Sequence, residues 1–402
     1  FERERWIWLS TSAGVWRYDL HGTGSRHIEY NPDDRFSLSS SYVTCSFVDN
    51  NEGVWLGTKD SGVNWSGIAQ TNFEKYYTAS GTSLEGCIVS GFCEESPTKV
   101  WVSTEQAGFL LWNPVNATVE RVKISGIPRT VCSPCIDGNS LWFGSLSGVY
   151  KLDIKTLALK PYGGIMRDSG RKDQKVYLVY KTKKGDIYAG TTLGLSRYNR
   201  EKDCFEDVKS IDGVFVTSIA EDAEGNMWLS TFASGLYRWN PSDGEMLHFT
   251  QDDGSGLPSN KITSVHIDKK GRVWAVGFSH GFSVYDTATA KFTTYDQSGF
   301  PSMPSNVFFC CSEDRSGSLW LSSDKGLIQF DPENSGMRLY TDVEGLLDTK
   351  LTNSTLRLTS GKLCAGSDNG FICYSPTKMR SGGYPRIVIT GMRAGNQMVT
   401  GD

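Results

Sequence analysis

The sequence predicts an all-β fold, a β-propeller of four-stranded antiparallel blades, from three observations. An apolar–Trp–apolar–Gly/Ser–Ser/Thr motif recurs nine times along the 402 residues. A glycine follows each copy by six or seven residues. Between these marks, apolar and polar residues alternate in short runs, and no amphipathic helix longer than a turn or two is visible. Four short strands in a period of about 40–45 residues make a propeller blade.

The motif is centred on Trp8, Trp55, Trp101, Trp142, Tyr188, Trp228, Trp274, Trp320 and Cys364, at intervals of 47, 46, 41, 46, 40, 46, 46 and 44 residues. On the second strand of a blade, such an aromatic fills the gap to the neighbouring blade. The glycines that follow, Gly14 through Gly370, mark tight turns into the third strand, where a positive φ is often required. Asp49, Asp222, Asp268 and Asp314 recur in phase before the second strand, which reads as turn chemistry because a catalytic residue is needed once. The unit at 262–295 shows all four strands: Ile262–Ile267, Arg272–Gly277, Gly281–Tyr285 and Lys291–Tyr295, with turns between them.

Nine copies exceed one seven-bladed ring. The last unit has three evident strands and no fourth, and Phe73–Thr78 reads as a spare outer strand. A ring can close by pairing a strand from one end of the chain with the blade at the other, which removes an exposed edge. The expected organisation is therefore the last two blades of an upstream propeller (1–72), a seven-bladed propeller (73–380) and the start of another β domain (381–402). A single nine-bladed ring is the alternative.

Hydrophobic residues are 38% and charged residues 21%, a globular composition. The net charge of −4 argues against a nucleic-acid partner, which would demand a basic face. No run of about 18 apolar residues exists to span a membrane. The chain opens on Phe1-Glu2-Arg3 inside a repeat, so a fragment of a longer protein is expected.

The pattern, together with the linker Gly256-Leu257-Pro258-Ser259-Asn260-Lys261-Ile262 and its echo Pro301-Ser302-Met303-Pro304-Ser305-Asn306-Val307, resembles the two-component regulator propeller repeat over roughly residues 6–376. In that family such repeats build the periplasmic sensor region of hybrid histidine kinases of Bacteroidetes. There they precede a β-sandwich of the Y_Y_Y type, a membrane helix and the kinase. The tail Pro385–Arg393 resembles the first strand of that sandwich. The resemblance implies a non-catalytic, periplasmic sensing segment that binds a glycan-derived oligosaccharide. It also implies a homodimer formed through the full-length receptor, attached to the membrane only through a helix beyond this chain.

Chemical motifs are sparse. The five histidines have no metal spacing, Cys132-Ser133-Pro134-Cys135 has no second pair at zinc-finger distance, and there is no nucleophile elbow or phosphate loop. Thr58-Lys59-Asp60-Ser61-Gly62 resembles a sialidase Asp-box but falls on the repeat's own turn. No catalytic residue, metal or cofactor is expected.

Propeller ligands bind where loops converge near the central channel. Candidates are residues that depart from the repeat on the face carrying the two–three and four–one loops: Glu105, Gln106, Arg129, Phe232, Asn260, Lys261, His280, Lys325 and Asp368. Aromatics beside amides and charges suit a sugar, and Lys and Arg would favour an acidic one. A carbohydrate-active lyase or hydrolase, or a protein-interaction scaffold, remain the competing functions.

Overall fold

A computed structural model describes residues 2–3, 6–22, 24–32, 34, 36–50, 52–67, 72–77, 84, 87–166, 172–173, 175–379, 392–394 and 397–399. The chain divides into two compact units, one of residues 1–71 with 379–402 and one of residues 72–378.

The larger unit is a seven-bladed ring. The first strands of its blades are Val89–Ser96, Cys132–Asp137, Val176–Lys181, Val216–Glu221, Ile262–Ile267, Phe308–Glu313 and Leu351–Arg357, numbered here as blades 1 to 7. Each blade is a four-stranded antiparallel sheet in simple up-and-down order. Blade 7 is the exception in connectivity: its outer strand is Phe73–Tyr77, paired with Gly370–Tyr374 from Gly370↔Tyr77 to Tyr374↔Phe73. The ring thus closes on itself after seven blades, which removes the nine-bladed alternative. Phe73–Tyr77 leaves no open edge on Gly370–Tyr374.

Packing follows from the repeat. The seven anchors of the ring are at most 2% exposed. Trp274, for example, lies in a cluster with Phe282, Phe308, Leu321 and Phe330, drawn from blades 5 and 6. Gly281 sits at φ +72°, where a side chain would collide with the Tyr295 carbonyl. That close approach is why the turn after the anchor keeps a glycine.

The in-phase aspartates do more than shape turns. Asp222, Asp268 and Asp314 each accept the indole N–H of the anchor six residues on, at 3.2, 2.9 and 2.9 Å. In blade 1, Glu95 does the same for Trp101 at 2.7 Å. Such an acceptor satisfies the buried indole N–H. Asp314 also accepts the backbone N–H of Ser316 and Ser318 and is 2% exposed. Asp314→Ala should therefore destabilise the ring by about 1–3 kcal/mol, since it strands buried donors. A denaturant-unfolding midpoint shifted down, with the slope unchanged, checks this.

Neighbouring blades are also stitched together. Glu221 and Glu313 close the first strands of blades 4 and 6, and Glu94 lies two residues before the end of that of blade 1. Each accepts a backbone N–H from the preceding blade's first turn, from Lys183 (2.7 Å), Lys269 (3.1 Å) and Thr359 (2.8 Å). The last of these joins blade 7 to blade 1.

The smaller unit holds a four-stranded sheet (Glu2–Arg3, Trp6–Thr11, Gly14–Asp19, Ser25–Ile28) and a three-stranded one (Val43–Val48, Val54–Thr58, Val63–Ser66). Val15, Leu38, Val43, Val54 and Leu56 form its core. Its anchor Trp55 is 42% exposed, and Asp49 accepts its indole N–H at 2.8 Å. A short hairpin pairs Met392–Ala394 with Gln397–Val399. Most of the strand expected at Pro385–Arg393 lies outside the described residues.

Candidate functional site: the mouth of the central channel

The first strands of all seven blades line a central cavity of about 610 Å³. Its wall is built by a repeated irregularity. The second residue of a blade's first strand sits in a bulge, as at Val176/Leu178, Val216/Ser218, Ile262/Ser264 and Phe308/Cys310. A bulge leaves one residue out of the ladder and re-aims its side chain.

In four blades that residue is a hydroxyl that ties its blade to the next. Thr217 donates to the Ile262 carbonyl (2.8 Å), Thr263 to Phe308 (3.1 Å) and Thr352 to Val89 across the closure (2.8 Å). Ser90 donates to Val131 in the same way. Three blades break the pattern: the residue after the one whose carbonyl would accept is Cys132 (which opens its strand), Tyr177 or Phe309.

A second equivalent position rims the mouth, the residue just after each second strand. Around the ring it reads Glu105, Leu146, Thr192, Phe232, Phe278, Asp324 and Asp368. Backbone bonds pin this residue to the loop leading into its own blade's first strand: Glu105 N–H to Ile88, Phe232 to Phe215 and Asp368 to Lys350. The rim is thus divided by chemistry. Blades 6, 7 and 1 carry carboxylates, and blades 4 and 5 carry phenylalanines.

The two sets of departures meet. Ring centroids step from Tyr177 to Phe215 (5.0 Å), to Phe232 (5.7 Å), to Phe278 (6.2 Å) and to Phe309 (5.9 Å). This aromatic arc runs along blades 3 to 6. Tyr177 and Phe215 line the cavity, while Phe232 and Phe278 are 43% and 38% exposed. Exposed rings in a row need a reason, because they cost free energy in water.

On the other side of the mouth, Glu105 lines the cavity. Burial raises its carboxyl pKa, and the charge of Asp368 raises it further. A raised acid binds its proton more tightly folded than unfolded, so it costs stability as pH climbs above the ordinary carboxyl range. Glu105→Gln should therefore raise the melting temperature at pH 7, and the gain should shrink as pH falls toward 4.5. Paired thermal melts across that range check the sign.

The remaining candidates fall into place individually. Gln106 accepts the Ile88 N–H through its side-chain oxygen (3.0 Å), and Asn260 accepts the Gln251 N–H (2.9 Å). Asn306 repeats the Asn260 bond on Gln297 (2.9 Å), so this asparagine is the linker's turn-former. Lys325 pairs with Asp324 at 3.4 Å. His280 Nδ1 lies 2.8 Å from the Ser279 hydroxyl, and Arg129 and Lys261 are exposed on loops leading into blades 2 and 5. The arc residues Tyr177, Phe215 and Phe309 were not anticipated; their signal is the loss of Ser/Thr at the bulge, or an aromatic just before the strand.

Cys132 lines the cavity, and Cys135 packs with the Trp142 cluster. Burial pushes the Cys132 thiol up to about 12, with Glu105 adding to the effect. Such a thiol is a poor nucleophile. Among the described residues, no group of three or more His, Cys, Asp or Glu side chains could hold a metal ion.

Residues 210–233 match the two component regulator propeller family. Histidine kinase P4 of Formosa agariphila is 25% identical over 170 residues, 40% of this chain and 12% of that protein. A solved structure described as the extracellular domain of a hybrid two component system from B. thetaiotaomicron superposes with a TM-score of 0.78 at 22% identity. It covers 98% of this chain and 55% of its own length. Virginiamycin B lyase from Staphylococcus aureus shares the fold more distantly, with a TM-score of 0.58 at 13% identity over 75% of this chain and 98% of the lyase. The chain therefore spans about half of the extracellular domain and a small part of the kinase. Residues 210–233 thus carry a two component regulator propeller repeat, and the same motif recurs in phase nine times along the chain.

Proposed function

We propose that this chain is the extracytoplasmic ligand-sensing part of a hybrid histidine kinase, and that its signal is a glycan-derived oligosaccharide bound at the channel mouth. The observation that carries the reading is where the repeat is broken. Departures gather at three equivalent positions around one opening, and they build an aromatic arc facing a carboxylate sector. Flat apolar sugar faces stack on such rings while carboxylates and amides accept from hydroxyls. The similarity to a histidine kinase and to the extracellular domain of a two component system supports a receptor.

On this reading residues 1–72 are the last two blades of another propeller. Trp55, Phe47 and Val63 are exposed there, whereas the ring's seven anchors are buried. The Y_Y_Y sandwich, the membrane helix and the homodimer belong to the full receptor, and ligand binding would act by shifting its conformational populations. On this reading the segment is non-catalytic.

The test is a thermal-shift screen of the chain against neutral and acidic oligosaccharides, with the same mixtures assayed for product. A ligand at 100 times its dissociation constant adds about 2.7 kcal/mol of stability. A shift for one glycan class without product supports the sensor. Product would overturn it in favour of an enzyme of the lyase or hydrolase type.

A further inference from the structure

We propose that Cys364 and Cys373 form a disulfide bond across the second and third strands of blade 7. The two are direct cross-strand partners, and their sulfurs stand 3.4 Å apart. A bond of about 2.05 Å requires the sulfurs to close by about 1.4 Å. Small rotations about χ1 supply that.

The register favours the bond. Asp368 and Asn369 form the hairpin loop, and Ser367 and Gly370 are the first pair beyond it. In a two-residue hairpin that first pair is hydrogen-bonded, and pairs alternate outward. Cys364–Cys373 is therefore a non-hydrogen-bonded pair, the kind whose Cα atoms are about 4.5 Å apart and whose side chains lie closer. That separation is within the range disulfides adopt.

The repeat supplies an independent argument. In the other six blades the anchor and its third-strand partner are Trp101 with Leu111, Trp142 with Lys151, Tyr188 with Arg197, Trp228 with Arg238, Trp274 with Val284, and Trp320 with Gln329. Blade 7 alone places cysteine at both positions. One cysteine in the anchor slot would simply be a small buried apolar residue. Two, in register, make a cross-link site.

The position gives the bond a job. Cys373 also pairs with Glu74 of the closing strand Phe73–Tyr77. A cross-link fixes the hairpin on which that strand docks. Both sulfurs are wholly buried once it has docked, with Tyr76, Trp112 and Phe371 in the same cluster. Oxidation therefore precedes ring closure. The two thiols lose two protons and two electrons as the S–S bond forms. The electrons pass by thiol–disulfide exchange to a disulfide oxidant such as oxidised glutathione, which leaves as two thiols. The bond depends on the pair's geometry and not on what the mouth binds.

The experiment starts from the full chain, reduced and unfolded. It is refolded in a buffer of reduced and oxidised glutathione, trapped by alkylation in denaturant, and mapped by proteolysis and mass spectrometry. The expected result is one dominant bond, Cys364–Cys373, with the chain lighter by two hydrogens before alkylation and the other cysteines alkylated. The Cys364→Ser variant should leave Cys373 alkylated under the same conditions. Ten alkylated thiols, or a bond joining another pair such as Cys93 and Cys135, would overturn the inference. The same trapping on chain isolated directly from an oxidising compartment needs no refolding step, and ten free thiols there would overturn it equally.

Discussion

The Phe73→Ala/Tyr76→Ala double variant is expected to lose most of its folding stability, although neither residue lies near the channel mouth. These side chains belong to the strand that closes the ring. Tyr76 stacks on Phe371 at 4.6 Å and meets Trp112 edge-on at 5.1 Å, in the seam between blades 7 and 1. Phe73 lies edge-on to Tyr340 and Tyr374 at 5.9 and 5.4 Å, in the seam between blades 6 and 7. Both are under 10% exposed. Truncating a buried aromatic costs about 3–5 kcal/mol, against a total stability of about 5–15 kcal/mol for a domain. Both seams flank the same blade, so the two losses share neighbours and need not add.

The consequence goes beyond lost area. Five residue pairs tie this strand to Gly370–Tyr374, and the Lys362–Glu74 ion pair adds a contact beside them. Freed, Gly370–Tyr374 would present an open edge of five buried residues, a template for pairing with another chain. The variant should unfold at a lower denaturant concentration and aggregate on heating. A melt indistinguishable from the unaltered chain would mean that the ring does not depend on this closure.

How much of this was legible in sequence differs by level. The blade count was readable because the anchor Trp is large, regularly spaced and present in seven of the nine copies. The absent fourth strand of the last unit pointed to closure by Phe73–Tyr77. The interval of six residues between each aspartate and its anchor was also in plain view, yet it read only as a turn, because the indole's need for an acceptor appears once the strand is built. The mouth was harder. Asn260 reads as a ligand-face candidate, and its side-chain oxygen also holds the linker. Tyr177 and Phe309 escaped notice because they lie within strands, where alternation predicts a fixed facing. A bulge overrides that facing, and register shifts of one residue carry no sequence signature of their own. Glu105 and Asp368 come together only because the ring closes.

Replacing Phe232 and Phe278 together by alanine should abolish oligosaccharide binding while leaving the melting temperature of the free chain nearly unchanged. Exposure separates the two effects. At 43% and 38% exposed, these rings contribute less to folding than a buried anchor such as Trp274, which is 1% exposed. Bound to a sugar, they would become buried and act as the anchors of the interface. Losing one such aromatic anchor costs about 2 kcal/mol or more, roughly a thirtyfold loss of affinity, and losing two takes a micromolar ligand to the millimolar range. Tyr177 and Phe309 offer an internal contrast. They are less exposed and occupy the bulge, so Tyr177→Ala should weaken binding and also lower stability. If the double variant bound its ligand as tightly as the unaltered chain, the arc would not be the binding surface, and the carboxylate sector of Glu105, Asp324 and Asp368 would have to carry recognition alone. That sector makes its own distinguishable demand. Affinity resting on the carboxylates should fall as pH drops and Glu105, raised by burial, takes its proton, whereas affinity resting on the arc should hardly respond to pH.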